Sequence, residues 1–170
     1  MQKPIISIIA ALSENRVIGN KGKIPWHIRT DLIRFKHKTT GHVTIFGRKT
    51  LDSYLAYYER SGRPFPNRTN IVITHDPHFK ITTPHTYVAH SLPEAIDLGK
   101  KYETEEIFVA GGGQIFQEAI PVADRLYLTI VHKNFDGDTF FPDYSEFRKI
   151  IHQEDGEENG LKYTFLDLTK

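Results

Sequence analysis

The sequence of 170 residues contains no cysteine. This absence excludes a disulfide scaffold, a thiol nucleophile and a thiolate metal site, and it suits a reducing compartment. An excess of one charge is also missing, because 22 Lys and Arg residues face 21 Asp and Glu residues for a formal net charge of +1. Such a balance argues against nucleic acid or a membrane as a partner held by bulk electrostatics. A bound anion would therefore need a local cluster of basic groups.

Long hydrophobic runs are lacking as well. The apolar stretch 4–13 is too short to span a bilayer, and since only Lys3 precedes it and no cleavable end follows, we interpret it as a buried first strand. The nine histidines are scattered, and no helical pair with a third ligand is in view, so we expect no metal site. The P-loop, the nucleophilic serine elbow and the G-x-G-x-x-G dinucleotide fingerprint are absent too.

Apolar, β-branched runs alternate with helical windows along the chain. The strands are expected at 5–10, 42–47, 70–75, 86–90, 106–111, 125–131, 147–153 and 162–168. The helices are expected at 30–39, 50–59, 91–102 and 113–120, with Ser91 capping the third, and loops at 61–68 and 155–160. This order predicts a single α/β domain over 1–170, with an open, mostly parallel sheet of about eight strands, an antiparallel C-terminal edge and about four flanking helices.

Ligands of open α/β sheets bind at the carboxyl ends of the strands, and two segments there favour an anion. GRKT (47–50) combines a glycine, two basic side chains and Thr50 as a predicted N-cap of the second helix. GGGQIF (111–116) offers a bare backbone beside a helix start. Together they suit a pyrophosphate-bridged dinucleotide. A solvated basic turn and a tight strand–helix turn are the purely structural alternatives.

Two charged side chains are candidates for a substrate site. Asp31 follows Thr30, the predicted N-cap of the first helix, and shares a helix face with Phe35. The carboxylate either interacts favourably with the helix dipole or pairs with a ligand that presents a protonated ring nitrogen and an amino group. Arg68 follows two prolines, so it is either a surface arginine or a fixed clamp for a carboxylate.

Six segments taken together resemble bacterial-type dihydrofolate reductase in their order and spacing. They are 5–36, with Pro-Trp followed by Asp31, then FGRKT (46–50), RPFPNRTNIVIT (63–74), VAGGGQIF (109–116), LYLTIV (126–131) and DGDTFFPDY (136–144). The resemblance implies NADPH-dependent reduction of 7,8-dihydrofolate to tetrahydrofolate, with hydride transfer from nicotinamide C4 to pterin C6. It also implies a cytoplasmic monomer that binds antifolate-type small molecules.

The same resemblance implies roles for individual residues. Asp31 would assist protonation at N5, with Trp26 ordering a water and Thr129 bonding Asp31 from behind. The substrate positions would be Ile9, Ala10, Ile24, Asp31, Phe35, Ser53, Arg68, Ala110 and Thr129. The cofactor positions would be Ala11, Ile18, Gly19, Gly47, Arg48, Lys49, Thr50, Thr74, His75, Gly111, Gly112, Gly113, Gln114, Ile115 and Phe116. Residues 18–24 would be a mobile loop that bonds Asp138, and the Gly111–Gly112 peptide would be cis.

Four features depart from the family pattern. Ala110 is small, Phe116 lacks a tyrosine hydroxyl, Gln114 is not basic, and the helix end at 54–62 is longer than the short form. Arg48, Thr74 and His75 are therefore expected to recognise the 2′-phosphate of NADPH. Two other functions stay open at this point: a related reductase acting on a ribityl-aminopyrimidine, and a non-catalytic pterin- or nucleotide-binding module.

Overall fold

One eight-stranded sheet forms the centre of the computed structural model, which describes residues 3–81, 83–103 and 105–170. The ten strands are β1 (Ile5–Ser13), β2 (Val17–Gly19), β3 (Val43–Gly47), β4 (Thr69–Ile73), β5 (Thr86–Ala89), β6 (Glu106–Val109), β7 (Arg125–Val131), β8 (Thr139–Phe140), β9 (Lys149–Glu158) and β10 (Leu161–Thr169). The sheet order is β5-β4-β3-β6-β1-β7-β10-β9, and only the pairings of β10 with β7 and with β9 are antiparallel in this sheet. The predicted α/β class is confirmed.

Four α-helices cover the sheet. They are α1 (Arg29–Thr39), α2 (Arg48–Ser61), α3 (Leu92–Gly99) and α4 (Gly113–Ala119), and a 3₁₀ turn at Ile120–Val122 follows the last. The predicted cap of α3 is confirmed, because the Ser91 hydroxyl accepts a bond from the Glu94 N–H at 3.2 Å. The helix ends at Gly99 and is shorter than predicted. The run 54–62 lengthens α2 by its last two turns, up to Gly62 in the left-handed region.

The predicted N-caps of α1 and α2 are both wrong. Helix α1 begins at Arg29 and is preceded by Ile28, which has no capping side chain. The cap comes instead from Glu158, whose carboxylate accepts bonds from the N–H groups of Arg29 at 2.6 Å and Thr30 at 3.1 Å. Helix α2 begins at Arg48 directly after Gly47, so Thr50 lies inside its first turn and the helix start is open to an anion.

The C-terminal hairpin is longer than predicted. Residues 155–160 are not a loop: β9 continues to Glu158, and a two-residue turn at Asn159 and Gly160, both with positive φ, leads into β10. An Asn-Gly pair is the usual sequence for such a turn. The strand predicted at 147–153 is confirmed as the first half of β9, but its second half was missed, because the edge strand is exposed and its residues carry little apolar alternation. The small two-stranded sheet of β2 and β8 was not predicted either.

The core lies on both faces of the sheet. Strands β1, β3, β6 and β7 are almost continuously buried, as expected for parallel strands covered by helices on both sides. One cluster on this sheet contains Ile9, Phe35, Phe46, Phe108, Ala110 and Tyr127, and it brings α1 and α2 together over β1, β3 and β6. Within the described ranges, no helix is long and apolar enough to cross a membrane.

We expect Glu158→Gln to lower the free energy of unfolding by about 1 kcal/mol at neutral pH, because the cap of α1 loses its charge. The bonds from Thr30 and the Arg29 N–H lower the pKa of Glu158. A carboxyl with a lowered folded-state pKa stabilises the fold above its unfolded pKa, and this contribution is lost as the pH falls through the folded-state pKa. Urea unfolding at neutral and acidic pH measures both effects. The exposed neighbour Glu157→Gln is the control, and an equal loss in both variants would contradict the cap.

Candidate functional site

A half-buried carboxylate joins α1 to the centre of the sheet. The Thr129 hydroxyl on β7 donates to Oδ1 of Asp31 at 2.5 Å. Thr129 is held in register opposite Ala11 of β1 and Phe165 of β10, which fixes the direction of its hydroxyl. The bond uses one oxygen of the carboxylate and leaves Oδ2 to a ligand. The structure thus joins the two residues that were predicted together from segments 98 positions apart.

Burial raises the pKa of the Asp31 carboxyl above its ordinary value, although the Thr129 bond and the charge of Arg34 oppose this rise. Arg34 itself is engaged elsewhere. Its guanidinium forms an ion pair with Asp167 on β10 and lies 4.4 Å from the ring centroid of Phe165. The carboxylate of Asp31 is therefore not neutralised by a direct ion pair, and its raised pKa marks it as a candidate for proton chemistry.

Phe35, one helical turn after Asp31 on α1, belongs to a buried apolar cluster. Ile9, Phe35 and Ala110 belong to the same buried cluster, and Ala10 is partly buried on β1. Ile24 stands apart from them in this structure, since 57% of its surface is exposed. We refer to the region between Asp31 and Arg68 that Ile9, Phe35 and Ala110 border as the slot. Such a slot suits a planar heterocycle with hydrogen-bond donors on one edge.

Trp26 and Ser53 lie at the margins of this slot. Trp26 is partly buried next to Ile28, and its ring centroid is 5.2 Å from that of Phe135. Ser53 lies on α2, is exposed, and donates its hydroxyl to the Lys49 carbonyl at 3.0 Å. That bond lies within the helix and directs the hydroxyl back to the preceding turn.

Arg68 lies at the other end of the slot and is not a surface residue. Only 3% of its surface is exposed. Its Nε donates to Oδ1 of Asn70 at 3.1 Å and its Nη1 to the hydroxyl of Thr39 at 2.7 Å, whereas Nη2 has no partner among the residues that the structure describes. Burial lowers the pKa of Arg68 to about 10. A buried guanidinium with one free nitrogen is suited to an anionic ligand.

Tyr54 is a residue of this site that the sequence analysis missed. Its ring lies parallel to that of Phe35, with centroids 4.8 Å apart and planes 9° apart. Burial raises the pKa of its hydroxyl, the charge of Asp31 raises it further, and the charge of Arg68 opposes the rise. Both ends of the slot are therefore within electrostatic reach of Tyr54. One of three tyrosines within five residues of an amphipathic helix carries no sequence signal that separates it from its neighbours.

A cavity of about 1000 Å³ opens at the carboxyl ends of β3, β4 and β5. Ten of the predicted cofactor residues line it, namely Gly47, Arg48, Lys49, Thr50, Thr74, His75, Gly112, Gly113, Gln114 and Ile115. The open start of α2 faces this cavity together with the glycine-rich turn before α4. Basic side chains from three other segments add to the lining, since Lys3, His90 and Lys100 also border it. His90 follows β5 directly. The strand-end rule that pointed to the turns at 47–50 and 111–116 could therefore have pointed to His90 as well.

The remaining predicted cofactor residues lie behind or beside this cavity. Phe116 is buried against Phe141, with ring centroids 5.2 Å apart, and it packs under Gly111. The Gly111–Gly112 peptide is cis, as expected, and the Gly111 carbonyl accepts a bond from the Gly47 N–H at 2.6 Å. Ala11 is partly buried on β1. The two glycine-containing turns are thereby joined into one surface.

The loop at residues 18–24 folds over this surface. Ile18 and Gly19 lie in β2, and a two-residue turn at Lys21 and Gly22 follows, both with positive φ. Asp138 fastens the loop, because its carboxylate accepts a bond from the Lys21 N–H at 3.0 Å and its own N–H donates to the Gly19 carbonyl at 3.1 Å. The expected bond between this loop and Asp138 is confirmed.

The fold and the two sites fit a dinucleotide-dependent enzyme: the basic strand-end cavity suits the dinucleotide, and a half-buried carboxylate lies at one end of an apolar slot. Comparisons with known proteins identify the family. A family model described as dihydrofolate reductase matches residues 5–170. The dihydrofolate reductase of Bacillus subtilis is 42% identical, covering 95% of this chain and 92% of its own length. Dihydrofolate reductase type 3 of Salmonella typhimurium is 39% identical and covers 98% of both chains.

A solved structure agrees with the sequence relatives. Dihydrofolate reductase from Enterococcus faecalis, complexed with NADP(H) and RAB-propyl, has a TM-score of 0.79 and 33% identity over 99% of this chain and 98% of its own. The chain belongs to the dihydrofolate reductase family. It is an NADPH-dependent oxidoreductase that reduces dihydrofolate. This decides against the ribityl-aminopyrimidine reductase and the non-catalytic binding module.

Proposed function

We propose that Asp31 is the catalytic acid group of this reductase and binds the 2-amino and N3 side of the pterin of 7,8-dihydrofolate. The observation that carries this assignment is the half-buried carboxylate with a raised pKa, whose Oδ1 accepts a bond from Thr129 and whose Oδ2 has no hydrogen-bond partner among the described residues. A carboxyl that holds a proton closer to neutral pH favours protonation at N5 of the pterin. Thr129 keeps the carboxylate in this orientation, and Trp26, beside Phe135, orders the water through which the proton passes.

Arg68 is proposed to bind the α-carboxylate of the glutamate tail. Its free Nη2 supports this, since a carboxylate there would complete the bonding of the guanidinium and offset the cost of its burial. Phe35 and Ile9, with Ala10, Ala110 and Ile24, are proposed to wall the slot between the two charged ends. Ser53 is proposed only for the outer margin, given its exposure and its bond within the helix.

The cavity of about 1000 Å³ is proposed to hold NADPH, which supplies a hydride from C4 of its nicotinamide. The uncapped start of α2 and the side chains of Arg48, Lys49 and Thr50 suit a phosphate, and Gly112 and Gly113 allow close approach of the backbone. Ile18, Gly19, Ala11 and Phe116 border the region where the cavity meets the slot. The loop at 18–24 would exclude water there.

Residues 1–170 are proposed to form a single dihydrofolate reductase domain. The chain is proposed to act as a cytoplasmic monomer. Tetrahydrofolate biosynthesis for one-carbon metabolism is its proposed role. Antifolate-type small molecules that carry a protonated diaminopyrimidine edge are proposed to pair with Asp31 in place of dihydrofolate. Sizing of the purified chain in solution tests the monomer.

The experiment that tests the function is the loss of NADPH absorbance on adding dihydrofolate, with NADH in parallel. Rapid oxidation of NADPH and slow oxidation of NADH are expected, because basic groups border the phosphate end of the cavity. Equal rates would contradict the assignment of Arg48, Thr74 and His75 to the 2′-phosphate. No oxidation with either cofactor by the folded protein would contradict the reductase activity.

We expect Asp76→Asn to sharpen the preference for NADPH. Nη1 of Arg48 lies 3.1 Å from Oδ2 of Asp76, so the carboxylate competes with a phosphate for the guanidinium. Because this pair is about half exposed, its removal should lower the KM for NADPH only by roughly two- to fivefold and leave that for NADH unchanged. Steady-state kinetics with both cofactors measure the effect.

Asp97→Asn is the matched control for this change. Asp97 borders the same cavity but lies 3.8 Å from Lys100 and away from Arg48. The Asp97→Asn change removes the same charge without freeing Arg48, so it should change the NADPH preference less. If Asp76→Asn alters the KM values for NADPH and NADH by the same factor, the pairing of Arg48 with Asp76 does not govern cofactor choice.

A further inference from the structure

The space between Asp31 and Arg68 contains a side chain of the protein itself. The ring of Tyr54 stacks on Phe35 with centroids 4.8 Å apart, and it meets Phe46 in an edge arrangement at 5.5 Å. The same two phenylalanine rings lie 5.1 and 5.3 Å from the guanidinium carbon of Arg68. Tyr54 therefore covers a face of Phe35 close to Arg68, and the charges of both Asp31 and Arg68 act on its hydroxyl.

Contacts later in α2 hold Tyr54 in this place. Tyr58 lies one helical turn further on and packs edge-on against Phe65, with centroids 5.3 Å apart. Phe65 in turn lies 5.0 Å from the guanidinium carbon of Arg68. The last turns of α2 are thus attached to the segment that carries Arg68. A shorter helix would lack this attachment, so the extension at 54–62 and the position of Tyr54 belong together.

We propose that Tyr54 is a specificity-determining residue that closes the slot along Phe35, so that a ligand with an aromatic tail must displace its ring before the tail can reach Arg68. This inference rests on the proposed function, since it takes Asp31 and Arg68 as the two ends of the dihydrofolate site. The benzoyl ring of dihydrofolate lies between its pterin and its glutamate, and it needs an apolar surface between those ends. Phe35 offers that surface only after Tyr54 has turned away.

The proposal separates two kinds of ligand. A pterin head without a tail needs only the end of the slot at Asp31 and leaves the stack of Tyr54 on Phe35 in place. A ligand with a p-aminobenzoyl-glutamate tail must break that stack, which costs affinity unless the ring of the ligand restores an equal contact. An aromatic pair contributes enough to change binding by roughly two- to tenfold.

The test compares two 2,4-diaminopteridines in the presence of saturating NADPH: methotrexate, which carries the tail, and 2,4-diamino-6,7-dimethylpteridine, which has none. Tyr54→Leu should bind methotrexate roughly two- to tenfold more tightly, with the gain in the association rate, and should bind the tail-less compound as the wild type does. The KM of Tyr54→Leu for dihydrofolate, which also carries the tail, should fall as well. Tyr54→Phe keeps the stacked ring and should show no selective gain for methotrexate.

Three results would overturn the proposal. They are weaker binding of methotrexate by Tyr54→Leu, an equal change for both compounds, and a gain of the same size in Tyr54→Phe. If Tyr54→Leu fails to fold, Tyr54→Met fills the volume with a flexible side chain and must show the same selective gain. Failure of the proposed function looks different, because the wild type would then bind neither compound and would not oxidise NADPH with dihydrofolate.

Discussion

Asp31→Asn is expected to lower kcat at neutral pH by roughly 10²- to 10⁴-fold, since the variant retains the shape and the Thr129 bond of the carboxyl but not its proton chemistry. The loss should shrink as the pH falls, because protons from solution then replace the missing assistance at N5. NADPH binding should be nearly unchanged, since Asp31 does not border the cofactor cavity. Pre-steady-state hydride transfer across a pH series and NADPH titration by fluorescence measure the two effects.

The same variant should be more stable than the wild type at neutral pH. The folded-state pKa of Asp31 is raised by burial, so the ionised carboxyl destabilises the fold as the pH rises from the unfolded pKa through the folded-state pKa. Asparagine carries no such cost. Asp136→Asn, at an exposed position, is the control for both properties. Turnover at the wild-type level by Asp31→Asn at neutral pH would remove Asp31 from the mechanism.

The second large effect concerns Arg68. Arg68→Met should raise the KM for dihydrofolate by roughly 30-fold or more and change kcat only slightly, because the tail carboxylate loses a buried charged partner far from the reacting atoms. A tail-less dihydropterin should be affected much less. Steady-state kinetics with both substrates separate these two expectations.

Stability should move in the opposite direction in this variant. Nη2 of Arg68 is buried with no partner among the described residues, so replacing the guanidinium by an apolar chain of similar length should leave the free energy of unfolding unchanged or raise it. Arg63→Met, exposed on the same segment, controls for the loss of one positive charge. A fall in kcat as large as the rise in KM would show that Arg68 acts on the chemical step and is not only a tail contact.

Much of the fold could be predicted because its strands are buried on both faces. Strand β7 was predicted with its observed bounds, and the cap of α3 follows from a local Ser-x-x-Glu pattern. Prediction failed where the determining contact was distant. The start of α1 is capped by Glu158, which is 129 residues away in the chain. A local sequence pattern cannot reveal a cap that another strand supplies.

The candidate site shows the same division. Asp31, Thr129 and Arg68 stood out because their types and neighbours matched a known arrangement, whereas the burial of Arg68 was not expected from a loop rich in proline. Tyr54 was missed for a physical reason: its role depends on a stack across two helices, which helical periodicity within α2 does not reveal. His90 and Lys100 border the cofactor cavity because β5 lies at the sheet edge next to β4. The order of the strands in the sheet, which sequence patterns did not give, determines that position.

The contacts of Glu158 and Asp167 with α1 also have a consequence for synthesis on the ribosome. Helix α1 carries Asp31, yet its start is capped by Glu158, and Arg34 pairs with Asp167. These partners follow 129 and 133 residues later along the chain. At about 5–20 residues per second, the nascent helix waits roughly 6–26 s for Glu158. Helix α1 therefore gains these two contacts only when the final hairpin has left the exit tunnel, so we expect the helix that carries Asp31 to be held less firmly in an unfinished chain.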